Sequence, residues 1–280
     1  MREDAKTWFI TGCATGFGRA LAMLALERGD RVAVTDRDRA AVAEWEERYP
    51  GTALALQLDV TRPDEVAAAA DAAFARFGRI DLLVNNAGYG LQAAVEEAGE
   101  DQIRRLFEVN LFGMIDVIRA FVPRLRDQGG GHVINFSSVG GRVTAPLLAL
   151  YAASKFAVEG LTLGLSHELA GFGIKVTAVE PGAFATRFGT SAAMAGQQHP
   201  AYASIRQGME AMIKHLPQGE PETLAAAILE LADAPEPPVQ FIGGGDAYVM
   251  IEAELERQQA EMRKWKALSE AANSLVRERA

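Results

Sequence analysis

Tyr151-Ala152-Ala153-Ser154-Lys155 sets a phenol and an ammonium four residues apart, which on a helix is one face. A phenol of ordinary pKa is only about 0.1% ionised at pH 7, so a tyrosine that acts as a base needs its phenolate stabilised. Lys155 offers a nearby positive charge that favours the ionised form. Ser138 stands before Tyr151, just past an apolar run ending at Phe136, and its hydroxyl can orient a reacting oxygen. Taken alone, Ser138 and its neighbour Ser137 could equally cap a turn, and Asn110 would read as a polar defect inside a helix.

A second group of residues suits a nucleotide. Gly12-Cys13-Ala14-Thr15-Gly16-Phe17-Gly18 follows a short β-prone run and precedes a helical one. Side-chain-free positions let backbone approach a pyrophosphate, and the following helix N-terminus presents free N–H groups to it. A tight strand-to-helix turn would use the same glycines.

The elements that must position these groups alternate in type. The sequence predicts strands at Thr7 to Thr11, Arg31 to Thr35, Ala53 to Gln57, Leu82 to Asn85, His132 to Phe136 and Lys175 to Val179, with a seventh at Val239 to Ile242. Helical stretches lie between them: Arg19 to Arg28, Asp64 to Phe77 with Thr61 and Asp64 as a capping pair, Asp101 to Leu125 with a break at Pro123, and Tyr151 to Phe172. Such alternation implies an α/β fold, a Rossmann-like doubly wound parallel sheet of six to seven strands with helices on both faces. Ligands bind beyond the carboxyl ends of such strands. Reading just past each strand gives the glycine loop, Asp36, Asp59 with Val60, Asn85 to Gly88, Ser137 with Ser138, and Pro181 with Gly182. Polar or glycine-rich chemistry recurs along one edge, as a long ligand such as a dinucleotide requires.

In order along the chain, Thr11-Gly12…Gly16…Gly18, Asn85-Asn86-Ala87-Gly88, Ser138, Tyr151…Lys155 and Pro181-Gly182 resemble the short-chain dehydrogenase/reductase family, over about two thirds of the chain. That resemblance implies an oxidoreductase moving a hydride between a nicotinamide dinucleotide and a secondary alcohol or ketone. Tyr151 would transfer the proton and Ser138 would stabilise the oxygen. Lys155 would hold the nicotinamide ribose, and Asn110 would hold a water beside it. The implied cofactor contacts are Gly12, Thr15, Gly16, Phe17, Gly18, Asp36, Arg37, Asp59, Val60, Asn86, Ala87, Gly88, Tyr151, Lys155, Pro181, Gly182, Phe184 and Thr186. Asp36 at the ribose position favours NAD, whereas Arg37 beside it leaves NADP open. An epimerase or dehydratase on the same scaffold, or a nucleotide-sensing protein without turnover, is the alternative. The resemblance extends to a bacterial subgroup related to retinol and 17β-hydroxysteroid dehydrogenases, and to a homodimer or homotetramer formed through the helices around Asp101 to Leu125 and Tyr151 to Phe172.

Composition narrows the field. A net charge of -9 with no cluster of Lys and Arg argues against nucleic-acid binding. No apolar run approaches the length of a membrane span and no export signal is evident, so the expectation is a cytoplasmic protein. Cys13 is the lone cysteine, and His132, His167, His199 and His215 lack ligand spacing, so no metal site is expected. Val143, Ala145, Pro146, Leu147 and Leu148, with Phe184, Phe188 and Met194, suggest an apolar substrate pocket, although Arg142 and Arg187 could meet an acidic group. Residues 1–245 read as one catalytic domain, 189–221 as a variable substrate lid, and 246–280 as a helical extension with an apolar stripe at Met262, Trp265, Leu268 and Leu275. That extension could cover the pocket, join subunits or pack back on its own domain.

Overall fold

The computed structural model describes residues 4–186 and 193–277, and side chains among these as far as residue 272. In chain order the sheet-forming and helical elements are β1 Thr7–Ile10, α1 Gly16–Arg28, β2 Arg31–Asp36, α2 Glu44–Arg48, β3 Ala53–Gln57, α3 Pro63–Phe77, β4 Leu82–Asn85, β5 Leu91–Gln92, α4 Glu100–Phe107 and α5 Gly113–Asp127. They continue with β6 Gly131–Phe136, α6 Ala149–Leu169, β7 Ile174–Pro181, β8 Ala193–Met194, α7 Ala203–His215, α8 Pro221–Asp233, β9 Gln240–Gly243 and α9 Gly245–Arg277.

The main sheet has the order β3-β2-β1-β4-β6-β7-β9, parallel throughout. The expected seventh strand is thus present, and the strand order reverses between β1 and β4. Alternation along β1 feeds two cores: Trp8 and Ile10 pack with Leu21, Val34 and Ile228 on one face, while Phe9 packs with Val66, Leu83, Phe121 and Val158 on the other. Both sheet faces are covered, which is why these strands are apolar almost without interruption.

Two expectations are corrected by local chemistry. The stretch Asp101 to Leu125 is not interrupted at Pro123, which sits inside α5. Instead a single π-helical turn, Glu108–Phe112, separates α4 from α5. The cause lies in the bonds of Asn110 described below. Thr61 and Asp64 do not form a capping pair either: the residue capping α3 is Arg62, Pro63 opens the helix, and the Thr61 hydroxyl bonds Asp59 at 2.7 Å.

Candidate active site

The crevice beyond β1 and β4 collects the expected residues. Gly12 and Gly16 hold φ values of +72° and +60°, a left-handed region open mainly to glycine. Thr15 precedes α1 without a side-chain cap, so the first N–H groups of the helix are left for a ligand. At Gly18 a Cβ would lie 2.4 Å from the Gly12 carbonyl oxygen and 2.5 Å from Asn86 Nδ2. That closeness lets Asn86 Nδ2 donate to both the Thr11 and Gly12 carbonyls, at 2.8 and 2.9 Å. Thr11 Oγ1 in turn accepts the backbone N–H groups of Asn86 and Ala87, each at 3.0 Å. The Asn86-Ala87-Gly88 segment is therefore the floor that fixes the loop. Ala14, Thr15, Gly16, Arg19, Ala185 and Thr186 line a cleft of about 520 Å3 above it.

Asp36 closes β2 with its carboxylate toward the loop, accepting from Ala14 N at 3.1 Å and Asp38 N at 3.3 Å. Arg37 follows on an exposed bend. Asp59 accepts from Thr61 and pairs with Arg105 at 3.3 Å. Burial alone would raise its carboxyl, but these bonds and charges hold it below the ordinary range. Val60 packs against the backbone of Gly113, where a Cβ would come within 2.7 Å of its Cγ2.

Past β7, Pro181 and Gly182 lead to Phe184, which packs edge-on against Phe17 at 5.2 Å; Phe17 also stacks on Phe136 at 5.6 Å. Phe17 and Phe184 thus form an aromatic layer under the loop, and Thr186 reaches over it to Gly16. Asp246, in the first turn of α9, is a further residue of this site. It accepts from Ala183 N at 2.7 Å and fills the space beside Gly182. Only its place directly after Gly243-Gly244-Gly245 could have pointed to it.

The reacting groups converge from β6, α6 and the π turn. Ser138 caps a short turn at Val139–Gly141, taking the Gly140 N–H at 3.0 Å, and its hydroxyl bonds Tyr151. Tyr151 is buried, and burial pushes its phenol up to about 12, with the Ser138 bond opposing. Lys155 Nζ lies 6.0 Å from the Tyr151 ring centre and donates to the Phe136 carbonyl at 2.8 Å. Burial brings its ammonium down to about 8, against the charge of Glu159. Asn110 is fully buried: Oδ1 accepts from Tyr89 N and Nδ2 donates to Tyr89 O, both at 3.0 Å, and Nδ2 also donates to Ser154 Oγ at 3.1 Å. Clamping the Tyr89 backbone in this way turns Asn110 inward, which accounts for the irregular turn at that point. Ser154, inside the Tyr-to-Lys interval, is an anchor that spacing alone does not reveal; it passes the bond on to the Tyr151 carbonyl at 2.7 Å.

On the substrate side, Leu147, Ala94 and Met209 form a buried apolar cluster flanked by Ala145, Leu148 and Tyr202. Met194 is 41% exposed. Arg187 and Phe188 lie outside the described residues. Arg142 is not free to meet an acidic group, because its Nη1 donates to Glu180 at 3.0 Å. Within the expected lid, β8 pairs with β5, and Arg206 of α7 binds Glu97 at 2.7 Å.

The short chain dehydrogenase family profile matches residues 6–217. The chain belongs to the short-chain dehydrogenase/reductase family. It is 36% identical to Oxidoreductase BOA17 of Botryotinia fuckeliana over 95% of this chain and 99% of that protein. It is also 34% identical to a 3-ketodihydrosphingosine reductase of Bacteroides thetaiotaomicron, over 82% and 84% respectively. Among solved structures, a short-chain dehydrogenase from Streptomyces avermitilis superimposes with a TM-score of 0.90 at 40% identity, covering 96% of this chain and 99% of that one. A family member from Burkholderia phymatum in complex with NAD gives 0.79 at 26% identity, over 92% and 97%. One from Burkholderia cenocepacia in complex with NADP gives 0.73 at 27%, over 94% and 98%. This short-chain dehydrogenase/reductase is accordingly an NAD(P)-dependent oxidoreductase. No helix among the described residues is long and apolar enough to cross a membrane.

Proposed function

We propose that the enzyme interconverts a hydrophobic or aromatic secondary alcohol and its ketone with NAD as the preferred cofactor, and that it acts in the cytoplasm. The observation that carries this reading is the hydrogen bond between Ser138 and Tyr151, set at the strand edge with Lys155 behind it and the glycine loop alongside.

A bound nicotinamide dinucleotide supplies the hydride acceptor or donor and, when oxidised, a positive charge. The open helix N-terminus, the left-handed glycines and the cleft beside Thr186 fit its pyrophosphate, and Asp36 fits a ribose bearing two free hydroxyls. Arg37 stands exposed after the strand, so the 2′-phosphate of NADP would meet the Asp36 carboxylate first. Gly12, Gly18, Asn86, Ala87, Asp59, Val60, Pro181, Gly182, Phe17 and Phe184 shape the remaining contact surface.

In oxidation, Tyr151 Oη takes the proton of the substrate hydroxyl while the Ser138 hydroxyl orients the same oxygen. Lys155 holds positive charge near the phenol and lowers the cost of its ionisation. Both amide protons of Asn110 are committed to Tyr89 and Ser154, so the second lone pair of Oδ1 is what this residue offers a water beside Lys155. The apolar cluster at Leu147, Ala94 and Met209 favours a substrate with an apolar body. Residues 1–245 form the catalytic unit in this reading and 189–221 its lid.

We also assign a homodimer or homotetramer. Phe112 on the π turn and Phe156 and Leu163 on α6 are 49%, 46% and 41% exposed, an apolar face that a second copy would cover. From Glu252 to Ala272 the residues of α9 are almost all exposed, which speaks against packing back on its own domain and for joining subunits.

The test is the absorbance of reduced nicotinamide with a panel of alcohols and ketones, after fluorescence titration with NADH and NADPH. Net redox change with tighter NADH is the expected result. Binding without any redox change would overturn the dehydrogenase reading, and tighter NADPH would overturn the cofactor assignment.

A further inference from the structure

Behind the Tyr151–Lys155 face of α6, two carboxyl groups meet in the protein interior. Glu180, near the end of β7, is fully buried, and Glu159, one helical turn after Lys155, is 4% exposed. Each has a donor on one oxygen. Arg142 Nη1 donates to Glu180 Oε1 at 3.0 Å, and Gln240 Nε2 of β9 donates to Glu159 Oε2 at 2.7 Å. The other two oxygens, Glu159 Oε1 and Glu180 Oε2, are buried and receive no N–H or O–H from the surrounding protein. Yet the two side chains lie within hydrogen-bonding reach of each other. An ionised carboxylate only accepts, so two of them cannot bond one another and their charges repel. One proton between them makes one group a donor and satisfies both orphaned oxygens.

We propose that Glu159 and Glu180 share one proton and that this singly charged pair, held by Arg142 and Gln240, positions Lys155 and keeps it cationic behind Tyr151. The proposal rests on the dehydrogenase reading for the role of Lys155, but not for the shared proton.

The surroundings favour a single negative charge. Arg142 faces the pair from the loop after β6, Lys155 from the same helix, and the neutral Gln240 from β9. Asp246 at the start of α9 is committed to the Ala183 N–H. Packing on the pair is tight: a Cβ at Gly141 would lie 2.5 Å from Ser137 Oγ and 3.0 Å from Glu159 Cγ. Ser137 Oγ also reaches the Lys155 carbonyl at 3.5 Å, so movement of Glu159 is transmitted to the turn that carries Lys155. Burial raises the Glu180 carboxyl above the ordinary carboxylate range, the charge of Glu159 adds to this, and Arg142 opposes it. Glu159 is also the anion that resists the downward pull of burial on Lys155.

The experiment compares the intact protein with Glu159→Gln, Glu180→Gln and the double variant. Infrared spectra below neutral pH should contain the carbonyl stretch of a buried protonated carboxyl, shifted in deuterium oxide. Either single change should remove that band while the circular dichroism stays native, since an amide donor replaces the acid proton and one negative charge is kept. The double variant removes the charge. The alkaline midpoint of NADH affinity, read by fluorescence without any turnover, should then fall by about one pH unit, with the alkaline limb of turnover following it. A wild-type spectrum without the band, or a band that survives both single changes, overturns the shared proton. An unmoved midpoint in a folded double variant overturns the role toward Lys155; should that variant not fold, Glu159→Met with Glu180→Gln removes the same charge and provides the same readout. Absence of turnover with either nucleotide, with band and midpoint as expected, would instead count against the dehydrogenase reading.

Discussion

Lys155 Nζ and Asn110 Oδ1 converge over Gly88: a Cβ placed on that glycine would lie 3.6 Å from the ammonium and 3.2 Å from the amide oxygen. Gly88 has no positive φ, so its missing side chain matters for space rather than for backbone conformation. The space is where a water would bridge the two groups. Gly88→Ala should fill it and press on an amide that Tyr89 and Ser154 hold in place. Turnover should fall roughly ten-fold with NADH affinity changed less than about two-fold, as for loss of one step in proton transfer. Steady-state kinetics beside fluorescence titration decides it, and unchanged turnover would remove the water from the mechanism.

Tyr151 poses a sharper question, because burial pushes its phenol up to about 12 and a neutral phenol is no base. The Ser138 bond works against burial, and the positive charges of Lys155 and of oxidised nicotinamide must do the rest. Tyr151→Phe keeps the ring and its packing while removing the proton-transferring oxygen. Turnover should drop by about 10²–10⁴-fold with nucleotide affinity retained. Near-normal turnover would mean that another group transfers the proton.

Much of this site was legible in residue order because it depends on period and punctuation. Apolar runs too short for helices, each ending in Gly, Asp, Asn or Ser, placed the strands and their reactive ends. What escaped depends on contacts between distant segments. Asn110 reads as a defect until Tyr89 is seen to occupy its amide, and only then does the π turn replace the expected break at Pro123. Arg142 reads as a surface cation until Glu180, thirty-eight residues later, is found beside it. Asp246 likewise gains meaning only when α9 is seen to start beside Gly182. Side-chain direction across the sheet carries no signature in spacing.

Two glycines separate structural from conformational roles. Gly18 lies in the first turn of α1, where an added methyl would collide with the Gly12 carbonyl. Gly208 lies within α7 and a methyl there meets nothing within 4 Å. Gly18→Ala should destabilise the protein by about 1–3 kcal/mol and weaken NADH binding, because the loop must open to admit the methyl. Gly208→Ala should stabilise by about 0.5–1 kcal/mol by reducing the freedom of the unfolded chain. Denaturant midpoints for the pair test both signs, and equal effects would show that the loop is not packed as described.

His132 is buried on β6 with Nε2 at 2.9 Å from Thr177 Oγ1, whose own proton goes to the Pro238 carbonyl. The imidazole therefore donates from Nε2 and is neutral. Burial, with Lys175 and Lys6 adding, pulls it down to about 3 from an ordinary value of 6.5. The unfolded chain thus binds this proton first as pH falls, so the contribution of His132 to stability is complete above about 6.5 and lost progressively toward 3. His132→Gln keeps a donor and cannot titrate. Comparing denaturation of both proteins between these limits should show a steeper acid loss in the wild type, and parallel curves would place the proton on His132 in the folded state.

The tail helix offers the last test. Met262, Trp265 and Leu268 are 73%, 60% and 63% exposed along α9. A helix in a protein draws most of its stability from packing an apolar face rather than from propensity, so such a stripe needs a surface to cover it. Charge is also divided along it: Glu252, Glu254 and Glu256 precede the stripe, and Arg263, Lys264 and Lys266 fall within it. Two copies laid antiparallel would match acidic to basic halves and bring Leu255 opposite Trp265. Leu268→Glu with Met262→Glu should therefore shift light scattering toward a smaller species, the Trp265 emission, blue-shifted in the wild type, should turn red, and nucleotide affinity should hold. An unchanged mass would mean that α9 takes no part in assembly.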